Sequence, residues 1–266
     1  MRVFLVGSPR SGTTLFQTWL MSTGRVTSFS ETHFFARLQT IGPRWKRVAY
    51  ALRAYRFLDK WRQTQGVERR PRLFFGVDGA AREFVACLDS KALAEGKPIW
   101  LEKTPRHLNY VALIARTTPG ARFIFVRREP LGTIRSMRNA RARWSKIQGN
   151  EDLLAISRWF ADRATIELEA ARRDGLVVDY EDLIENPKEM AERVGAFLGV
   201  EPVLFQPLDQ LQAHAEQIVK PHEVWKANNL AAQPNLIRED DAVLRADLER
   251  IRVSLDSAFA PLRKTD

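Results

Sequence analysis

The sequence is poor in cysteine: Cys87 is the one residue of that type among 266. This count excludes an intramolecular disulfide and a metal cluster built on several thiolates, and it favours a reducing compartment. Long apolar runs are also missing, because the run in the opening MRVFLVG is too short for a signal peptide or a membrane span. We therefore expect a soluble, cytoplasmic protein without a transmembrane segment, with peripheral attachment to a membrane as the alternative.

Acidic residues are scarce in two parts of the chain, although the bulk composition, 45% hydrophobic and 28% charged, is that of an ordinary globular protein. Residues 36–72 contain eleven Lys and Arg against two acids, and residues 121–146 contain eight against one. Positive charge gathered in blocks favours an anionic ligand or partner. We interpret residues 36–75 as a basic helical lid or insertion.

Hairpin signals are absent too, and predicted strands alternate with predicted helices. Strands are expected at residues 3–6, 99–101, 122–126 and 176–178, and helices at 79–94, 108–116, 131–138, 152–173, 187–198 and about 239–259. This order predicts an α/β fold, a three-layer P-loop-type domain with a mainly parallel central sheet flanked by helices. Neither repeats nor linkers are visible, so residues 1–266 are expected to form one domain.

A lysine is missing from the loop that follows the first strand. GSPRSGTTL, residues 7–15, fits the Walker A spacing from Gly7 to Thr14, but Thr13 stands at the lysine position. A glycine-containing loop before a helix N-terminus is a phosphate cradle, and Arg10 is its cation. The loop thus predicts an anion site that differs from the usual ATP or GTP site.

Cations and hydroxyls follow three predicted strands. The strands end in GSPRSGTT, EKTPRH and RREPLGTIRS, which carry Arg10, Lys103 and Arg128. Ligands of open parallel sheets bind at the carboxyl ends of the strands, so these segments are expected to meet in one crevice.

The loop GSPRSGTTL resembles the 5′-phosphosulfate loop of sulfotransferases that use 3′-phosphoadenosine-5′-phosphosulfate (PAPS). Residues 128–136, REPLGTIRS, resemble their second signature, R-x-P-x(5)-S. DYEDL at 179–183 and QIVKP at 217–221 are weaker matches. SETHFF and EKTP are similar to the carbohydrate branch, and FIFVRREPLGTIRSM to the tyrosylprotein branch.

The resemblance implies a role for each of these segments. It implies PAPS as co-substrate without a metal, a hydroxyl-bearing acceptor, and in-line transfer of the sulfuryl group. Arg10 and Lys103 would stabilise the leaving phosphate, and Glu31 would be the general base. The implied donor-binding residues are Arg10, Ser11, Gly12, Thr13 and Thr14 for the 5′-phosphate, Arg128 and Ser136 for the 3′-phosphate, and Lys220 in the late basic loop.

Several of these assignments have structural alternatives. Glu31 could be a solvated or helix-capping loop residue, and Lys103 could pair with Glu102 or Asp78. Arg127 is the alternative to Arg128 as the arginine of the second signature, although only Arg128 keeps the spacing to Pro130 and Ser136. At the level of function, the alternatives are a P-loop kinase or NTPase and a non-catalytic binder of polyanions or membrane surfaces.

The acceptor stays open at this point between a sugar hydroxyl, a glycolipid, a small metabolite and a tyrosine. A carbohydrate or glycolipid is favoured, and nucleic acid is not expected. Phe34 and Phe35, next to Glu31, are interpreted as apolar surfaces for the acceptor. The basic block favours an acceptor that is acidic or presented at a membrane.

Overall fold

The computed structural model describes residues 1–38, 44–68, 76–142, 151–173, 175–216 and 242–259. The strands are β1 (Arg2–Gly7), β2 (Val26–Ser28), β3 (Ile99–Lys103), β4 (Ala121–Arg127) and β5 (Gly175–Asp179). The helices are α1 (Thr13–Met21), α2 (Phe34–Arg37), α3 (Arg44–Gln65), α4 (Gly76–Ala94), α5 (Val111–Thr117), α6 (Pro130–Ala142), α7 (Glu151–Arg172), α8 (Tyr180–Glu185), α9 (Pro187–Leu198), α10 (Gln212–Glu216) and α11 (Ala242–Phe259). Short 3₁₀ turns cover Pro105–Tyr110, Pro202–Leu204 and Leu208–Gln210.

The five strands form one parallel sheet in the order β2-β3-β1-β4-β5. β1 lies at the centre, where Leu5 pairs with Lys103 of β3 and Gly7 pairs with Val126 of β4. Because all strands run the same way, the segments that follow β1, β3 and β4 leave the sheet at one edge. The predicted mainly parallel sheet between helices is confirmed.

The sheet is covered on both faces, as a parallel sheet requires. Side chains alternate along each strand, so Phe4 of β1 contributes to an aromatic cluster with Phe84 and Trp100, while Leu5 faces a second cluster with Phe16 and Trp19. In the first cluster the rings of Phe4 and Trp100 meet edge-on, with their centroids 5.2 Å apart. The two clusters hold the strands, and hence the loops at their ends, in fixed positions.

The basic block contains a long helix, as predicted, in α3. Its inner side is buried by Ala54, Leu58 and Trp61, whereas Arg53 and Lys60 are exposed on the opposite side. The role of this helix as a lid stays a prediction, as does the assignment of residues 1–266 to one domain. Within the described ranges, no helix combines the length and apolarity that crossing a membrane would require.

Some elements differ from those predicted. β3 extends to Lys103, so that Glu102 and Lys103 lie inside the strand instead of after it. β2 and α8 were not predicted, because β2 has three residues and α8 has six, which is too few for a clear periodic pattern. The region around residues 105–117 begins as a 3₁₀ turn before it becomes α5.

Candidate active site

The loop after β1 has the geometry of an anion cradle. Arg10 and Gly12 have positive φ angles, 73° and 89°, and α1 begins at the next residue, Thr13. Gly12 caps the helix without a side-chain hydrogen bond, and the first turn of α1 contains no acidic residue. The N–H groups of that first turn have no acceptor within the helix, and they point toward the loop.

Two serines in this loop have different surroundings. Ser8 Oγ donates to Asp162 Oδ2 at 2.7 Å, and Arg158 Nε holds the same carboxylate at 2.8 Å, which ties the loop to α7. Ser11 is fully buried, and within the described residues its hydroxyl oxygen has no hydrogen-bond partner. A buried hydroxyl without a partner is costly, and an oxyanion in the cradle would satisfy it. The loop therefore fits a phosphate or phosphosulfate group.

Tyr180 is packed tightly against the loop at Gly12. A Cβ atom on Gly12 would lie 2.2 Å from Tyr180 Cδ2, so no side chain fits there. The Tyr180 ring also contacts Arg128, whose guanidinium carbon lies 4.1 Å from the ring centroid. Burial raises the pKa of Tyr180, and Arg128 offsets part of that rise. The contact of Tyr180 with both phosphate-site candidates was not predicted from the sequence.

The structure brings three candidates for the donor site together around the loop backbone. Arg10 Nε donates to Ser136 Oγ at 2.9 Å, and Arg128 Nη1 donates to the Arg10 carbonyl at 3.2 Å. Trp159 Nε1 donates in turn to the Arg128 carbonyl at 3.1 Å. The first turn of α6 approaches closely as well, because a Cβ on Gly132 would lie 3.2 Å from Arg128 Nε.

Arg127 and Arg128, adjacent in sequence, have different partners. Arg127 forms a two-pronged pair with Asp179, at 2.8 and 2.5 Å, and reaches Glu167 at 3.1 Å. The bonds from Asp179 raise the pKa of Arg127. Arg128 lies 4.0 Å from Glu181, at the limit of an ion pair. Burial raises the pKa of Glu181. Arg127 therefore has a structural partner, and Arg128 is the better placed to bind an anion.

Glu31 and Lys103 are in direct contact. Lys103 Nζ donates to Glu31 Oε1 at 2.7 Å and to Thr14 Oγ1, in the first turn of α1, at 3.3 Å. His33 Nε2 lies 3.4 Å from the other Glu31 oxygen. Lys103 thus joins the candidate base to the loop. Asp78, one of the alternative partners considered for Lys103, pairs instead with Arg116 at 2.7 Å.

The prediction that Phe34 and Phe35 form an acceptor surface is wrong. Both side chains are completely buried, and the Phe34 ring stacks on Phe84 with their centroids 4.2 Å apart. They belong to the aromatic core beneath the sheet edge. Of the remaining candidates, Thr13 is buried at the start of α1, and Lys220 lies outside the described residues.

A fully buried carboxylate next to the candidate base was also missed. Glu102 accepts hydrogen bonds from the hydroxyls of Thr32 and Thr104, each at 2.7 Å, and from His107 Nδ1 at 2.8 Å. Burial by itself would raise the pKa of Glu102, but the attraction of His107 and these three bonds outweigh it and lower the pKa. An acid inside an apolar strand needs buried partners, but the strand predicted at residues 99–101 ended before Glu102, so this need was not recognised.

A family model matches most of the chain. The family model described as "Sulfotransferase family" matches residues 2–204. Protein-tyrosine sulfotransferase 2 of Gallus gallus is 24% identical over 240 residues, which cover 82% of this chain and 60% of that protein. Nodulation protein NoeE of Sinorhizobium fredii (strain NBRC 101917 / NGR234) is 26% identical over 230 residues, 79% of this chain and 53% of that protein. The chain therefore spans little more than half the length of these two relatives.

Among solved structures, the sulfotransferase domain from the Synechococcus PCC 7002 olefin synthase superimposes with a TM-score of 0.57. It is 19% identical, and the match covers 95% of this chain and 94% of that domain. At this identity the likeness establishes a shared fold.

Proposed function

The chain belongs to the sulfotransferase family, and from this premise we propose that it transfers the sulfuryl group of PAPS to an acceptor hydroxyl. The observation that carries the proposal is the position of Lys103, whose ammonium contacts both Glu31 and Thr14. A cation that joins a carboxylate to a phosphate cradle matches the needs of this reaction. In the proposed reaction it would stabilise the negative charge that develops on the leaving phosphate, beside the carboxylate that would take the acceptor's proton.

In the proposed reaction the bond between sulfur and the bridging oxygen of the 5′-phosphate breaks, and a bond forms between sulfur and the acceptor oxygen. The acceptor's proton passes to Glu31, and adenosine 3′,5′-bisphosphate leaves. The loop N–H groups, Ser11 and Thr14 would bind the 5′-phosphate, and Arg10 and Lys103 would stabilise its growing charge. Arg128 and Ser136 would bind the 3′-phosphate. Lys220 is proposed for the donor site on its motif alone.

The acceptor has two supported candidates. The SETHFF and EKTP segments favour a carbohydrate or glycolipid, whereas the match to a protein-tyrosine sulfotransferase favours a tyrosine. Both present a hydroxyl to the base, and both are compatible with the basic exposed side of α3 if the acceptor is acidic. A cytoplasmic location stays a prediction.

Thermal shift separates the proposed donor site from the rival functions. We expect adenosine 3′,5′-bisphosphate without Mg²⁺ to raise the melting temperature, since saturation at 100 times Kd adds about 2.7 kcal/mol of stability. Mg-ATP should have little effect. The reverse order would favour a kinase or NTPase, and equal stabilisation by heparin and the nucleotide would favour a polyanion binder.

Transfer is then measured with ³⁵S-labelled PAPS against an oligosaccharide, a glycolipid in micelles, a tyrosine peptide and a small alcohol. With the best of these acceptors, Glu31→Gln should keep the nucleotide affinity within about twofold and lower kcat by at least about 100-fold, because the amide cannot take a proton. Glu192→Gln, on the exposed side of α9, is the matched control and should change neither quantity. Unchanged turnover in Glu31→Gln would remove Glu31 as the base.

A further inference from the structure

The segment that carries Glu31 is held by an unbroken series of backbone hydrogen bonds to side chains. The N–H groups of Thr32 and His33 donate to Thr104 Oγ1 at 3.2 and 3.3 Å. Phe34 N–H donates to Thr32 Oγ1 at 3.2 Å, and Phe35 N–H donates to His107 Nε2, also at 3.2 Å. Four consecutive amides therefore have side-chain acceptors. Two of them, those of Phe34 and Phe35, lie in the first turn of α2, where the helix itself supplies no acceptor.

All three acceptor side chains converge on Glu102. The hydroxyls of Thr32 and Thr104 donate to its Oε1 atom, and His107 donates from Nδ1 to its Oε2 atom. An ionised carboxylate only accepts hydrogen bonds. The Glu102 carboxylate therefore orients the hydroxyl protons of Thr32 and Thr104 toward itself, and the lone pairs of the two hydroxyl oxygens are left to accept from the backbone amides. In the same way it fixes the His107 tautomer, because the Nδ1–H donor leaves Nε2 free to accept from Phe35.

β3 holds this segment from both of its faces. Glu102 and Lys103 are consecutive in the strand, so their side chains point to opposite faces. Lys103 contacts Glu31 on one face, and Glu102 contacts the next residue, Thr32, on the other. Both β3 side chains are buried: Glu102 is completely buried, and Lys103 is 3% exposed. The position of the carboxylate of Glu31 is therefore set by a central strand and not by the loop alone.

One residue of the segment has a conformation that needs such support. His33 has a φ of 51°, in the left-handed region that is unfavourable for residues other than glycine. Its N–H group is held by Thr104, and its ring lies 3.4 Å from Glu31. Backbone strain that persists beside a candidate catalytic group indicates a conformation imposed by its surroundings.

We infer that Glu102 is a positioning residue: through Thr32, Thr104 and His107 it fixes residues 31–35 so that Glu31 is presented beside Lys103. The inference rests on the proposed function for the role of Glu31 as base. Glu102 itself does not touch the reacting groups. Loss of the network should therefore lower turnover through Glu31 while nucleotide binding is retained.

The test uses Thr104→Val, which keeps the shape of the side chain but removes one donor to Glu102 and the acceptor of two amides. Thr117→Val is the matched control, because Thr117 is also a buried threonine and its hydroxyl donates to the Leu113 carbonyl within its own helix. Amide hydrogen exchange of the intact protein is measured first. Exchange at Thr32 and His33 should accelerate by about tenfold or more in Thr104→Val and stay unchanged in Thr117→Val.

Turnover is measured next, as release of adenosine 3′,5′-bisphosphate from PAPS with the best acceptor of the panel. Thr104→Val should lower kcat by about 10- to 100-fold with nucleotide affinity within about twofold, and Thr104→Ser should restore it. In a Glu31→Gln background, Thr104→Val should cost less than about twofold more, because a residue that acts through Glu31 has nothing left to position.

The two hypotheses fail in different ways. Wild-type protein that neither binds the bisphosphate nor releases it from PAPS would refute the proposed function, and the exchange measurement would still report on the network. Normal turnover with Thr104→Val, or losses that add fully to those of Glu31→Gln, would refute the positioning role. Unchanged exchange at Thr32 and His33 would show that the network does not hold the segment.

Discussion

Adjacent arginines at the end of β4 give a sharp test of the proposed 3′-phosphate site. Arg127 is bound to Asp179 and Glu167. Arg128 instead contacts the Tyr180 ring and the Arg10 carbonyl, and its Nε atom lies 4.0 Å from a Glu181 oxygen, at the limit of an ion pair. A charged hydrogen bond to a phosphate contributes about 2–3 kcal/mol, so Arg128→Ala should weaken adenosine 3′,5′-bisphosphate binding by roughly 30- to 150-fold.

The control for this prediction lies in the ligand as well as in the protein. Adenosine 5′-monophosphate lacks the 3′-phosphate, and its affinity should change by less than about threefold in Arg128→Ala. Arg127→Ala should lower the free energy of unfolding by about 1–2 kcal/mol, through the lost pair with Asp179, and leave the preference between the ligands unchanged. Isothermal titration calorimetry of both variants with both nucleotides measures these effects. Equal losses for the two ligands in Arg128→Ala, or a selective loss in Arg127→Ala, would refute the assignment.

Two further predictions concern the loop and the buried carboxylate. A non-glycine residue at the Gly12 φ of 89° costs ~1–2 kcal/mol of folding free energy. Gly12→Ala should lower stability by more than this amount, because the new Cβ also clashes with the Tyr180 ring. Displacement of that ring from Arg128 should weaken nucleotide binding as well. Gly24→Ala has a similar φ of 70° but open space around it, so calorimetry should show a stability loss alone. The pKa of Glu102 lies below its ordinary value of 4.5, so its contribution to stability is fully present above pH 4.5 and is lost as the pH falls through the folded-state pKa. Urea unfolding should therefore show a flatter decline below pH 4.5 for Glu102→Gln than for wild type, and equal slopes would contradict this.

The fold could be predicted from the sequence where the pattern is local and long. The apolar run at residues 122–126 and the glycine loop at 7–12 carry their structure in a few consecutive residues, and both were located correctly. β2 could not be predicted in this way, since Val26–Ser28 is a strand only because β3 offers it a neighbour. A contact between elements 70 residues apart leaves no periodic signal.

The candidate site divides along the same line. Motif spacing identified Arg10, Arg128 and Ser136, and the structure places them in contact. The network of Glu102 could not be seen, because it depends on hydrogen bonds between residues 32–35 and 102–107. Phe34 and Phe35 were misread for a related reason: apolar residues beside a polar candidate can line a pocket or fill a core, and only the position of α4 decides between these.

Strand register, together with the conformation of residues 31–35, sets the distance between the proposed base and the proposed donor site. Leu5 pairs with Lys103, so the strand before the phosphate loop and the strand beside Glu31 are locked by backbone hydrogen bonds in the centre of the sheet. Side chains of the exposed side of α3 take no part in that register. Substitutions on that side of α3 can therefore change which acceptor is bound without moving the proposed base relative to the proposed donor site. It follows that, in the proposed reaction, exchange of Arg53 or Lys60 should alter KM for an acidic acceptor and leave kcat nearly constant.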